Sequence, residues 1–141
     1  MELHPQLKKD CHSLAVIEDI CILLNRNASL PWFILVPLST SADFRELFEL
    51  PAEMRTSLNL LTDRISQYLL REQGADKINT GAIGNLVSQL HLHVIGRSET
   101  DECWPQPIWG NLISYQAYEE NQLEKITADM HKIISHPANP L

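Results

Sequence analysis

The sequence predicts an α+β domain in which a five-stranded, mainly antiparallel sheet is joined to two main helices. Two observations carry this. Apolar residues recur at a strand-like period in five short segments and at a helical period in two longer ones. Their order is strand, strand, strand, helix, strand, strand, helix, which suits an antiparallel sheet with segregated helices. Size agrees: 141 residues fit one domain of roughly 100–200 residues. A hydrophobic content of 44% against 21% charged is near the globular average and argues against disorder.

Residues 14–24 read as a hairpin, with Leu14–Ile17 and Ile20–Leu24 flanking the acidic pair Glu18-Asp19. A single amphipathic helix is the alternative, and the β-branched content favours strands. Asn25 to Leu30 is a polar turn, and Trp32–Val36 is a buried strand closed by Pro37. Residues 41–49 suggest a short helical turn introduced by Ser41 or Asp43. The clearest helix starts at Pro51, whose missing N–H costs nothing in a first turn. Met54, Leu58, Leu61, Ile65 and Leu69 form its apolar stripe, and Gly74 its C-cap. A strand near Lys77-Ile78, a loop bearing Gly81 and Gly84, and a strand from Ser88 to Arg97 follow. Residues 98–111 are irregular, and a second helix at about 115–135 aligns Leu123, Ile126, Met130 and Ile133. The whole chain, 1–141, reads as one domain.

Charge restricts the partners. The net charge is −7, and residues 98–141 contribute −5 of it through seven acids and two bases. Duplex binders depend on basic patches that neutralise phosphates, so a nucleic acid polymer is not expected. A small anion held at one local site is compatible with this charge. The apolar runs are too short for a membrane span and no signal peptide opens the chain. Cys11, Cys21 and Cys103 form no CxxC pattern; reduced thiols in a cytoplasm fit them best.

The chemistry concentrates in Gln89-Leu-His91-Leu-His93-Val-Ile95. On a strand, Gln89, His91 and His93 share one face while Leu90, Leu92 and Val94 face the core. Neighbours on that face stand roughly 6.5–7 Å apart, close enough to contact different oxygens of one phosphate. The alternative is a half-buried strand whose outer face is merely polar. The preceding Asn79-Thr-Gly-Ala-Ile-Gly84-Asn85 favours a site, because glycines let backbone N–H groups approach an anion and asparagines add uncharged donors. His4, His12, His131 and His136 lie near the termini or on polar faces and read as incidental.

With Gly96-Arg97 after it, this segment resembles the HxHxHxx signature of the histidine-triad (HIT) superfamily of nucleotide hydrolases and transferases. Asn79…Gly84-Asn85 is similar to its phosphate loop, one residue shorter than in commoner branches. Asn25-Arg26, six residues before Pro31–Pro37, resembles its nucleotide-binding turn and strand. The likeness runs from about residue 4 to 110 and is greatest to bacterial HIT-like proteins often labelled diadenosine tetraphosphate hydrolases. It implies a HIT-like fold, a homodimer with joined sheets, and a purine nucleotide or dinucleoside polyphosphate as ligand. No cofactor and no protein-bound metal are implied.

By the same resemblance His91 is the nucleophile, attacking the α-phosphorus to give a nucleotidyl-histidine, and His93, Gly84 and Asn85 stabilise the phosphoryl oxygens. Asn79 contacts the phosphate or leaving-group side, and Asn25 holds the ribose with Leu23 or Leu24 against the base. The chain departs from the pattern at Gln89, which stands at the first histidine of the triad and carries no titrating proton at neutral pH. Leu86 stands where other branches often have Ser or Thr. An orienting role for Gln89 toward His91 survives the change. Trp104 and Trp109 either pack the 98–111 loop against the domain or a second subunit, or Trp109 reaches over the nucleotide pocket, its own or a partner's, as a stacking surface.

Two rival readings use the same residues. A nucleotide-binding module without turnover would follow if Gln89 disables the chemistry. A metal site would use His91 and His93 as the two imidazoles of a cupin-type strand; Glu99 falls one residue beyond that spacing, and no third histidine stands close in a later strand.

Overall fold

The structure is a computed structural model that describes residues 2–135. Its element order is α1 (Pro5–Asp10), β1 (Cys11–Ile17), β2 (Ile20–Asn25), β3 (Trp32–Pro37), a 3₁₀ turn at Leu47–Glu49, α2 (Ala52–Glu72), β4 (Lys77–Gly81), β5 (Leu92–Arg97) and α3 (Glu120–Ser135). All strand pairs are antiparallel, in the order β1-β2-β3-β5-β4. The expected α+β class, sheet and two main helices are all present.

The β1–β2 hairpin turns on Glu18 and Asp19, at φ 47° and 61°. Two successive left-handed residues make the turn whose twist matches paired strands. Leu38 N–H, 2.7 Å from the Asp19 carbonyl, ties that turn to the end of β3. Pro51 caps α2 from just outside it, and Gly74 at φ 69° lets the chain leave the helix in the left-handed region. The turn expected at 41–49 is confined to Leu47–Glu49, where the Glu49 carboxylate accepts the N–H groups of Arg45 and Glu46. The last helix begins at Glu120, five residues later than the sequence suggested, after an irregular stretch anchored to Asn27.

Alternation along the strands divides the apolar residues between two faces. One carries Ile22, Leu24, Phe33, Leu35, Leu92 and Val94 against Leu58, Leu61, Ile65 and Leu69 of α2 and Ile126 and Met130 of α3. Leu23, Cys21, Ile34 and Val36 lie on the other, packed with Leu7 of the short α1 and with Leu3 and Val87 alongside. Burying two long helices on one face leaves the opposite face free to form a site. Gly96 permits close packing at the far end of β5: a Cβ there would lie 2.9 Å from Pro31 Cγ and 3.1 Å from Ala75 Cβ.

Candidate functional site

The histidine segment differs from a continuous strand. Pairing begins only at Leu92, so Gln89, Leu90 and His91 precede β5 as extended but irregular chain. Leu90 N–H donates to the Phe44 carbonyl at 2.8 Å, and both residues are buried. The His91 and His93 rings still meet edge to face, with centroids 4.9 Å apart, on the face opposite the long helices. They are 8% and 6% exposed, nearly as buried as the core around them.

The two rings have opposite proton arrangements, fixed by partners that can act in only one sense. His91 Nδ1 lies 2.7 Å from the Gln89 carbonyl. A carbonyl only accepts, so Nδ1 carries the proton and, in the neutral ring, Nε2 offers its lone pair. His93 Nδ1 lies 2.9 Å from Trp32 Nε1. An indole N–H only donates, so Nδ1 of His93 accepts and Nε2 carries the proton. In their neutral forms, a ring with a free Nε2 lone pair therefore stands beside a ring whose Nε2 is a donor, each fixed by a neighbour.

Burial, followed by the repulsion of neighbouring His91, lowers the pKa of His93 to about 4. A group whose pKa falls on folding loses stabilisation as pH drops from the unfolded toward the folded value. Between about pH 6.5 and pH 4, His93 is expected to cost about 3 kcal/mol of stability. Urea unfolding at pH 7 and pH 4.5 measures this, and His93→Gln should abolish that part of the loss.

Around the pair opens a cavity of about 720 Å³, within the range that encloses a small organic ligand. One end is apolar, made by Leu7, Cys11, Trp32 and Ile34. Asn25 lines it at the end of β2; its Oδ1 accepts from Asn27 N–H at 2.9 Å, and its Nδ2 has no partner among the described residues. Gly84 and Asn85 line the histidine end, where Gly84 adopts φ 64° and turns the loop. Trp109 closes another side, its ring centroid 5.3 Å from that of His93. It packs so closely on β4 that a Cβ at Gly81 would lie 3.2 Å from its ring.

Other expected site residues lie elsewhere. Gln89 reaches away from His91: its Oε1 accepts from His4 N–H at 2.8 Å and its Nε2 donates to the Glu2 carbonyl at 3.1 Å. It is the backbone of Gln89, not its side chain, that orients His91. Asn79 does not line the cavity; its Oδ1 accepts from Arg97 Nη1 at 2.8 Å. The cause is register, since Gly81 is the β4 residue opposite His93 and Asn79 lies opposite Ile95. Leu24 is in the helix-side core and Leu23 is buried beside Ile34, so neither lines the cavity. Trp104 stacks on Arg97, 5.7 Å from ring to guanidinium carbon. Among the described residues no three His, Cys, Asp or Glu side chains cluster as a metal would require. His136 lies outside the described residues.

Two residues of this site escaped the sequence reading. In the sequence Trp32 reads only as strand core, although a half-buried indole N–H on the open face generally takes an acceptor. His4 appeared incidental, yet its ring accepts from Gln6 N–H to cap α1 and it lines the cavity.

The HIT domain family matches residues 6–100 of the chain. Among solved structures, a histidine triad protein from Bradyrhizobium japonicum is 31% identical, with TM-score 0.85 over 94% of this chain and 97% of that one. One from Marinobacter aquaeolei VT8 is 35% identical, with TM-score 0.84 and coverage of 95% and 96%. A histidine triad (HIT) protein from Sinorhizobium meliloti 1021 is 34% identical, with TM-score 0.84 and coverage of 93% and 95%. No curated protein matches. With the fold, the paired histidines and these matches together, the chain belongs to the HIT domain family, whose members are generally nucleotide-binding hydrolases and transferases.

Proposed function

We propose that the protein is a nucleotide phosphohydrolase or nucleotidyl transferase that works through a covalent nucleotidyl-histidine on His91. The observation that carries this reading is the opposed pair of locked rings, with Nε2 of His91 left as the free lone pair and Nε2 of His93 as a donor. The lone pair of His91 Nε2 forms a bond to the α-phosphorus while the bond from phosphorus to the leaving group breaks, and that electron pair departs with the leaving group. The resulting cationic imidazole keeps its Nδ1–H on the Gln89 carbonyl, which stabilises the charge. His93 Nε2–H, Asn85 and the N–H groups beside Gly84 donate to the phosphoryl oxygens. Water or another acceptor then attacks phosphorus; the N–P bond breaks, its electrons return to Nε2, and the acceptor's proton goes to solvent.

The substrate class that suits the 720 Å³ cavity is a dinucleoside polyphosphate or nucleotide conjugate with a purine base. Its base would occupy the apolar end near Leu7 and Ile34, and its ribose would meet Asn25. A diadenosine polyphosphate hydrolase in the cytoplasm is the most specific form of this proposal. The outer edge of β4, paired on one side only, offers a second copy a strand with which to join sheets. Incubation with diadenosine polyphosphate and excess chelator tests the reading. Release of adenosine monophosphate supports it, and binding without release over hours supports a non-catalytic module.

Gln89 then has a minor kinetic role. Gln89→His is expected to leave the fold intact and to change the rate by no more than about tenfold, roughly 1.4 kcal/mol in barrier, because the backbone carbonyl that orients His91 is unaltered. A thousandfold gain on that substitution would contradict this and show that glutamine disables the site.

A further inference from the structure

A second cavity, of about 170 Å³, meets the first at His91, Ile83, Gly84 and Asn85. We propose that it is the leaving-group subsite and that Arg45 makes it select a leaving group that begins with a phosphate. This rests on the reading of His91 as nucleophile. Both cavities touch the same loop and the same imidazole, so a phosphorus held at His91 has its nucleotide in one and its departing group beside the other.

Arg45, Glu46 and Ser88 give the smaller cavity its polar wall. The backbone at Arg45 is held from both sides, and its side chain is exposed. The preceding carbonyl, that of buried Phe44, accepts from Leu90 N–H at 2.8 Å, one residue before His91. Its own N–H donates to Glu49 Oε2 at 2.7 Å. The guanidinium makes no hydrogen bond or ion pair among the described residues, although the charge of Glu49 lies near enough to feel it. Glu46 is exposed and its carboxylate opposes an anion. An arginine fork offers several donors in a plane that matches phosphate oxygens, so Arg45 dominates contact with a phosphate that reaches it. The volume is below the roughly 300 Å³ at which cavities begin to enclose whole small-molecule ligands. The subsite therefore takes the first phosphate or two of the leaving group, and any attached nucleoside extends into solvent. An amine or ammonia leaving group would gain nothing from Arg45.

The test compares two substrates with one adenylyl group: diadenosine tetraphosphate, whose leaving group begins with phosphate, and adenosine 5′-phosphoramidate, whose leaving group is ammonia. Arg45→Ala should lower kcat/KM for the first about 10- to 100-fold, the effect of one charge-assisted contact, and leave the second within about twofold. Arg45→Lys should recover part of the loss. Pyrophosphate binding, measured by calorimetry on the intact protein, should weaken in Arg45→Ala while adenosine monophosphate binding is retained. Equal effects on both substrates, or unchanged pyrophosphate binding, would overturn the subsite but leave His91 as nucleophile. If the wild type cleaves neither substrate, the reading of His91 and the subsite fall together.

Discussion

His91→Ala is expected to lower turnover of a dinucleoside polyphosphate by a thousandfold or more, about 4 kcal/mol of barrier, while nucleotide still binds. The loss is large because, of the two paired imidazoles, that of His91 is the one whose Nε2 lone pair its hydrogen bonds leave free. Its Nδ1 is committed to the Gln89 carbonyl, and the neighbouring His93 has its Nδ1 committed to Trp32. His93 cannot take over attack without giving up a proton from Nε2 or breaking its bond to Trp32. Binding survives because the apolar end and Asn25 lie on other elements, α1 and β1 to β3. Calorimetric titration with adenosine monophosphate beside a steady-state assay separates the two effects. A variant keeping a tenth of the wild-type rate would be incompatible with attack by His91.

Arg97→Ala is expected to destabilise the protein by about 3–5 kcal/mol, lowering Tm by roughly 10–20 °C. Arg97 is 1% exposed and grips Asp101 with two bonds, Nε to Oδ2 at 2.8 Å and Nη2 to Oδ1 at 3.0 Å. It also donates to Asn79 and stacks on Trp104. The bonds from Arg97 hold the Asp101 carboxyl below the usual carboxylate range. Removing the cation strands a carboxylate that is 6% exposed in its side chain, which costs more than the pair itself contributed. The double variant Arg97→Met with Asp101→Leu should recover much of the loss, because neither charge then remains to be buried. Thermal unfolding of the three proteins decides it. A loss below 1 kcal/mol in Arg97→Ala would show that the pair is not a structural anchor.

That pair explains one limit of the sequence. Asn79 sits among residues that suggest a phosphate loop, and spacing alone gives no sign that Arg97 claims its carboxamide. The deciding quantity is the β4–β5 register, which puts Gly81 across from His93 and leaves Asn79 two residues, about 7 Å, further along. Register is a tertiary property that a segment does not carry. The same holds for Gln89, whose partners lie on the N-terminal segment, more than 80 positions away. By contrast the hairpin, the stripe on α2 and the His91–His93 pair depend on local periodicity, and the sequence reveals them. Strand alternation breaks where β5 starts late, at Leu92, and at the irregularity between Ser13 and Ala15 of β1, although Leu90 still faces the core as alternation requires.

Covalent labelling tests the central claim most directly. The protein is mixed with a substrate labelled at the α-phosphate, quenched rapidly in alkali, and the label on the polypeptide is counted. A phosphoramidate on histidine survives alkali and is lost in acid, unlike esters of serine or aspartate. Wild type is expected to carry alkali-stable, acid-labile label that disappears in His91→Ala and persists in excess chelator. Turnover with no label on the wild-type protein at the earliest quench, or label retained in His91→Ala, would contradict catalysis through a nucleotidyl-His91.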